Sequence, residues 1–419
     1  MKVLVIGSGS REHAIVWKLS QSKRVTKIYC CPGNAGIAEL AECIDVGSND
    51  FSALIDFAKY EWIDFTIVND DKLLSKGIVN ALKREGCKVL GPDRATSRLG
   101  ASRVVIKNLL RLHAIPAPGY KVFHSYIPAQ DYVRLKGAPI VIKADGTFAE
   151  RGVYVASTVD DALYILRLIM NERIFGDDAG EQVIIEERLE GDEISFISFT
   201  DGTTIFPLTS FHKYMQIGYG NKGSYTAGMG AYSPAHAVTK ELEGVVMERI
   251  TKPFLKACDS EGIKFKGILS MDLIMSGGRP FVSEVNFCIG DPEAQTILPR
   301  LKTDFSDILS AITEERLSEI EIQLINDASL CVVASSKGYP ERYEKGVVIK
   351  GLENVKNFKD LFLFHHRTSF QNADIVNTAG RVLSITAIGD DVKAARTKAY
   401  DALDKIHFKD MYYRRDIGE

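Results

Sequence analysis

Between Phe265 and Gln295 the sequence reads FKGILSMDLIMSGGRPFVSEVNFCIGDPEAQ, which spaces oxygen donors in a way that suits a metal ion. Two strand-forming runs, Gly267–Met275 and Pro280–Phe287, flank a turn at Ser276-Gly277-Gly278-Arg279. Side chains alternate between faces along a strand. Ser270 and Asp272 therefore share one face of the first run, and Glu284 and Asn286 share one face of the second. A loop of odd length centred on Gly278 brings the two polar faces together. Two carboxylates and a carboxamide then converge just before Gly290-Asp291-Pro292. Hard donors of this kind suit Mg²⁺ or Mn²⁺, which takes one or two carboxylates beside nucleotide phosphates. The same residues also fit the solvated face of an ordinary hairpin, and spacing alone does not separate the two readings.

Other stretches carry groups with chemical potential. Pro139–Gly146 is an apolar strand that ends in Lys143, Asp145 and Gly146. A lysine in that position must be paired or reach water, because an isolated buried charge is costly. Beside the loop Thr147–Gly152 it is placed to hold phosphates. Acids gather at Glu186, Glu187, Glu190, Asp192 and Glu193, as ribose ligands or as a solvated charge run. Gln216–Tyr232 carries five glycines and reads as a mobile lid or substrate loop. His13 and His212 are candidates for a pocket, and His365-His366, in a polar stretch, for the surface. Cys288 as a nucleophile needs a base and a lowered pKa, and the competing reading is a small polarisable filler.

Strand Lys2–Ile6, the turn Gly7-Ser8-Gly9-Ser10-Arg11 and a helix from Ala14 open the chain like a phosphate-binding α/β unit. Glu12 stands where the dinucleotide fingerprint needs its third glycine, which argues against NAD. Further strands at Lys27–Cys31, Ile44–Val46, Ile63–Val68 and Lys88–Leu90 alternate with helices Phe51–Lys59 and Leu74–Glu85, predicting a parallel sheet. Its ligand edge takes in Gly7–Arg11, Pro32–Asn34 and Asn69–Lys72. Gly91-Pro92 ends this unit, and a helix over Ser102–His113 stops at the Pro116/Pro118 pair. A last unit starts near Ala328.

With 419 residues the chain exceeds one core and predicts two to four domains. Hydrophobic content of 45% and charged content of 26% are those of a globular protein. A net charge of −3 leaves no basic footprint for nucleic acid. Seven cysteines without metal-like spacing fit a reducing cytoplasm, and no run is long enough to span a membrane.

In order along the chain, KVLVIGSGSREHA, PGNAG, VLGP, IVIKADG, VIIEERLEGDEISF, GMGAYSP, EVN, GDPEAQ, GYP, GRVL and YRRDIG resemble the phosphoribosylamine–glycine ligases of the ATP-grasp superfamily. The likeness covers essentially the whole chain. It implies an α/β and α+β multidomain fold: an N-terminal parallel-sheet domain over 1–100, a two-lobed ATP-grasp domain over 101–325 with a mobile lobe near 120–190, and a small α+β domain over 326–419. It implies an enzyme that uses ATP and Mg²⁺ or Mn²⁺ to join a small-molecule carboxylate to an amine through an acyl phosphate, as a monomer or homodimer. The reading excludes nucleic-acid and membrane partners. On this resemblance Asp272, Glu284 and Asn286 hold the metal. Arg103, Lys143, Glu186, Glu187, Leu189 and Glu193 hold ATP. Gly9, Ser10, Arg11, Asn34, Asp71 and Lys213 hold substrate, and Lys143, Arg151, Cys288 and Asp291 serve the chemistry.

The departures from the family pattern fall around the substrates. Asp71 stands for a glutamate, Arg103 for a lysine, and Phe148–Val153 for a more pliant loop. Ser210-Phe211-His212-Lys213 lacks an aspartate, and Gly223–Gly228 is rewritten. Cys288 replaces an arginine expected to face the acyl group, and a thiol cannot form arginine's bidentate pair. Asp272 adds an acid where many other ATP-grasp enzymes carry a metal ligand. Two competing readings remain at this level: a diverged ligase acting on another acid or amine, and a non-catalytic ATP-binding relative.

Overall fold

The computed structural model describes residues 1–146, 152–176, 181–356 and 358–419, with the backbone but not the side chain of Asp71. Arg151 and the loop 147–151 thus lie outside the described residues. Five short parallel strands form the first sheet, in the order Glu42–Cys43, Lys27–Pro32, Lys2–Gly7, Phe65–Val68, Val89–Leu90. The third strand pairs two residues earlier than expected, at Glu42–Cys43, although Ile44 N–H still donates to the Cys30 carbonyl. The helix expected over Leu74–Glu85 is two helices, Asp71–Ser75 and Ile78–Arg84. Gly77, at φ 87°, adopts a left-handed conformation that only glycine takes readily, and the chain turns there.

A small antiparallel sheet follows, ordered Tyr120–Phe123, Val183–Glu187, Ile140–Ala144, Val153–Ala156. Helices Tyr126–Lys136 and Val159–Met170 cover it through Ala129, Val133, Leu166 and Ile169. The third sheet is larger and antiparallel. It runs Arg279–Asn286, Gly267–Ser276, Asp192–Thr200, Ile205–Gly218, Lys222–Ser233, Ala328–Ser336, Arg381–Gly389, Leu361–His365. The last three of these strands belong to the C-terminal unit, so the central and C-terminal parts of the chain share one sheet. Among the described residues no helix is long and apolar enough to cross a membrane.

The hairpin at one edge of this sheet differs from expectation in an instructive way. Its turn is Gly277-Gly278, an even loop, with Ser276 opposite Arg279 and Leu273 opposite Val282. Continued without interruption, that register would set Ser283 against Asp272. A β-bulge between Asp272 and Leu273 absorbs one residue, so Asp272 faces Glu284 and Ser270 faces Asn286. The polar faces coincide through the bulge rather than through an odd loop.

The glycine-rich stretch Gln216–Tyr232, expected as a mobile lid or substrate loop, is regular β structure that lines the cleft described below. It is the tip of a hairpin between strands Ile205–Gly218 and Lys222–Ser233. The C-terminal tail fastens this tip. Arg414, 1% exposed, donates to the Gln216 carbonyl at 2.9 Å and to Asn221 Oδ1 at 2.7 Å, and pairs with Asp416 at 2.6 Å. Tyr412 O–H donates to the Ile217 carbonyl, and Gly220 N–H donates to Asp416. Removing one partner of such a buried pair strands the other's charge. Arg414→Met is expected to lower stability by about 3 kcal/mol in thermal and urea unfolding, while Arg415→Met, at an exposed site, changes it little.

Candidate functional site

Strand Ile140–Ala144 and helix Arg103–Leu112 aim their cations at the bulged hairpin. Lys143, 2% exposed, lies 2.9 Å from Glu284 and 3.1 Å from Glu186, and also donates to the Ser283 carbonyl. Arg103 Nε reaches Glu284 at 3.2 Å, and its Nη1 donates to the carbonyls of Ala144 and Gly146. Lys107, one helical turn on, pairs with the far oxygen of Glu186 at 2.9 Å. The result is a buried ladder of alternating sign: Lys107, Glu186, Lys143, Glu284, Arg103.

Each rung shifts its neighbours. Burial works against the charge on Lys143, but Glu186 and Glu284 hold its ammonium above the ordinary value. Burial likewise opposes ionisation of Glu284, yet Lys143 and Arg103 bring its carboxyl down to about 2. Burial and the like charge of Lys143 push Lys107 down, with Glu186 opposing them. Glu186, 3% exposed, is the buried counter-ion between these two lysines. Glu187 points elsewhere, accepting from Gly119 N–H at 2.7 Å.

Asp272, facing Glu284 across the hairpin, accepts from Ser195 Oγ at 2.5 Å and pairs with Lys213 at 2.9 Å. Lys213 lies 3.4 Å from Glu293, whose buried carboxylate is pushed up by burial. Asn286 sits on the same polar face and is exposed. Among the described residues no three acidic, histidine or cysteine side chains converge as a ready-made metal site. The donor set on this face is two carboxylates and one carboxamide, each carboxylate balanced by a side-chain cation.

Beside this face a cleft of about 1210 Å³ opens between the small sheet and the large one. Val141, Val153, Leu189 and Ile274 give it apolar walls, and Glu193 and Asn221 supply polar groups. Among the expected ATP residues, Leu189 and Glu193 line this cleft. Lys143 and Arg103 lie at the hairpin instead.

The residues expected to hold substrate divide. Ser10, fully buried, donates toward Asp291 at 3.0 Å and lies within hydrogen-bond reach of His366. Arg11 pairs with Glu12, which also accepts from Gly9 N–H. Asn34 is buried and supports the backbone: its amide donates to the carbonyls of Ser8, His365 and His366, and its oxygen accepts from Gly36 and Ile37 N–H. Asp71 begins a short helix, and its side chain lies outside the described residues. Arg151 lies outside them as well. Cys288, 6% exposed, packs in the apolar cluster that holds Leu4, Ile6, Val68 and Leu74. It fills the core and does not stand in for an arginine in the cleft.

Asp291 is a junction. Arg381 pairs with it at 2.9 Å, Gln295 donates to it at 2.7 Å, and His366 Nδ1 lies 3.6 Å away. Burial opposes ionisation of Asp291, and Arg381 holds its carboxyl below the ordinary value. Burial pushes His366 down to about 3 and His365 to about 4, so both rings are neutral near pH 7. Both histidines are 4% exposed, which corrects their expected place on the surface. His13 is buried beside them and accepts from His365 N–H, whereas His212 bonds the Glu193 carbonyl. Sequence reading passed over Lys107, Ser195, Glu293 and Arg381, and placed His366 on the surface. Lys107 had a signal in its i, i+4 spacing from Arg103. Glu293 and Arg381 sat unremarked inside GDPEAQ and GRVL.

Three family models for phosphoribosylglycinamide synthetase match in order: the N domain over residues 1–100, the ATP-grasp (A) domain over 101–294 and the C domain over 329–419. A phosphoribosylamine–glycine ligase of Caldanaerobacter subterraneus is 41% identical, covering 100% of this chain and 99% of the relative. The crystal structure of phosphoribosylamine–glycine ligase from Thermotoga maritima superposes with a TM-score of 0.85 at 25% identity, over 100% of both chains. A biotin carboxylase–beta-gamma-ATP complex structure from Campylobacter jejuni shares the fold alone, at 15% identity and a TM-score of 0.75 over 98% of this chain and 92% of that one. The chain belongs to the phosphoribosylglycinamide synthetase family.

Proposed function

We propose that the protein is an ATP-dependent carboxylate–amine ligase that joins glycine to phosphoribosylamine, releasing ADP and phosphate, in purine biosynthesis. The observation that carries this reading is Lys143 held beside Glu284 on the polar face of the hairpin, in a chain that matches all three domains of its family in order. A carboxylate acylates poorly because its leaving group would be oxide. Phosphorylation turns that oxygen into phosphate, and an amine can then displace it. Phosphoryl transfer asks a protein mainly for positioning and charge neutralisation. Lys143 and Arg103 supply the neutralisation. Glu186, fixed by Lys107, keeps Lys143 charged and in place when phosphate draws it from Glu284.

The apolar slot between Val141, Val153, Leu189 and Ile274 suits an adenine ring, with Glu193 placed for the ribose. Asp272, Glu284 and Asn286 would hold Mg²⁺ or Mn²⁺, since oxygen-only donors suit these ions. The ion would neutralise the phosphates while bound. Lys213, placed between Asp272 and Glu293, is the cation nearest that face from the opposite side. The turn Gly9–Arg11 is assigned to the sugar phosphate of the amine, which it offers the start of helix Ser10–Ser20. The substrates are small molecules and the setting is the cytoplasm.

A second reading keeps the ligase chemistry but changes the acid or amine. It is favoured by Cys288 lying in the core and by Asp272 engaging Lys213. ADP release separates the two. The lead predicts release that needs both glycine and phosphoribosylamine, whereas release with another acid–amine pair and none with these supports the second. Lys143→Met is expected to lower kcat by about 10²–10³, read in the same assay.

The depressed carboxyl of Glu284 also sets a pH dependence. Its folded value near 2 lies below the ordinary 4.5, so its stabilisation is complete above about pH 4.5 and is lost as pH falls toward 2. Glu284→Gln is expected to lack that increment. The difference in stability between the two proteins should be largest at neutral pH and narrow through this window in acid-unfolding titrations followed by circular dichroism.

A further inference from the structure

The strand Arg381–Gly389 belongs to the C-terminal unit, yet its first side chain ends inside the candidate site. Arg381 Nη1 donates to the Ala227 carbonyl at 2.6 Å and to Asp291 Oδ1 at 2.9 Å. The carbonyls of Gly228 and of Asp291 itself lie at 3.4 and 3.5 Å. One guanidinium thus ties the glycine-rich hairpin to the Gly290–Pro292 loop. Those two segments touch: a Cβ on Gly228 would meet Pro292 Cδ at 2.5 Å and the Asp291 carbonyl at 3.0 Å.

The connection extends through Asp291 in both directions. Its other oxygen takes the Ser10 hydroxyl at 3.0 Å, which fixes the start of the first helix and with it the Gly9–Arg11 turn. Two residues beyond Asp291, Glu293 pairs with Lys213, which pairs in turn with Asp272. Arg381 is therefore a C-terminal group, with His366 beside Ser10 and Asp291, on which the relative placement of the turn and the hairpin face converges. Its side chain is 15% exposed and that of Asp291 14%, so water does little to screen the pair. A lysine carries one compact ammonium and cannot span the same set of acceptors.

We infer that Arg381 is a positioning residue that holds the amine half-site, at Gly9–Arg11, in register with the acyl half-site at the hairpin. The inference rests on the ligase reading for the names of the two half-sites, but not for the coupling itself. It assigns the C-terminal unit a part in joining the two substrates.

Arg381→Lys and Arg381→Met test it in the full-length protein. ADP titration and hydroxylamine-dependent ADP release with glycine, which needs no phosphoribosylamine, are expected to stay near wild type. The KM for phosphoribosylamine is expected to rise about tenfold in Arg381→Lys and further in Arg381→Met, the scale of a lost hydrogen bond to a charged group. Hydrogen exchange supplies a readout independent of activity. The amides of Ala294 and Thr296, bonded to the carbonyls of Gly290 and Pro292, and that of His13, bonded to Gly9, are expected to exchange faster in both variants. An unchanged exchange pattern overturns the inference, as does a uniform loss of ADP affinity, partial reaction and melting temperature in Arg381→Lys. A wild-type chain that releases no ADP with glycine and phosphoribosylamine overturns the ligase reading instead, and the exchange data still decide the coupling.

Discussion

One extra residue in one strand governs the chemistry of this molecule. The bulge opposite Asp272 and Leu273 moves the pairing by a single position, and a side-chain period of two turns that step into a change of face. Without it Glu284 would share a face with Val282's neighbours in the core, and Lys143 would be a buried cation lacking one of its two carboxylates. With it, Glu284 enters a ladder whose charges alternate from Lys107 to Arg103. A buried charge is tolerated only when it is paired, so the backbone register and the electrostatics of the site specify each other.

The ladder also explains how a nearly dry site can stay charged before any ligand arrives. Glu284 is balanced by Lys143 and Arg103, and Asp272 by Lys213. Ligand phosphates and a divalent ion would exchange these partners rather than create charge in a low-dielectric pocket. Lys107 and Glu186 remain behind as fixed rungs, and this is why so large a side chain as Lys107 is worth burying at all.

Much of this was legible in the chain. The polar positions Asp272, Glu284 and Asn286, the lysine ending Ile140–Ala144 and the parallel N-terminal sheet follow from periodicity and turn residues. What escaped was set by pairing over long separations. Arg381 lies 90 residues from Asp291, and Lys107 lies 79 from Glu186, so no local pattern links them. The histidines at 365 and 366 sit among polar neighbours in sequence, but strand Leu361–His365 closes the large sheet against the first helix and buries them. Glycines 218 to 230 read as slack, because the strands and the C-terminal tail that brace them come from elsewhere in the chain. Cys288 read as a gap in the chemistry, although its surroundings are apolar.

The sheet shared by the central and C-terminal parts bears on how the chain comes into being. Strand Lys222–Ser233 waits for Ala328–Ser336, about a hundred residues later, to cover its edge. During synthesis from the N-terminus the central part therefore carries an open flank of unsatisfied N–H and C=O groups, a template for pairing with a neighbouring nascent chain. Release from the ribosome before the final ninety or so residues have docked leaves that flank uncapped. Late arrival of the last strands, more than any weakness of the core, is the step at which this protein is most exposed to aggregation.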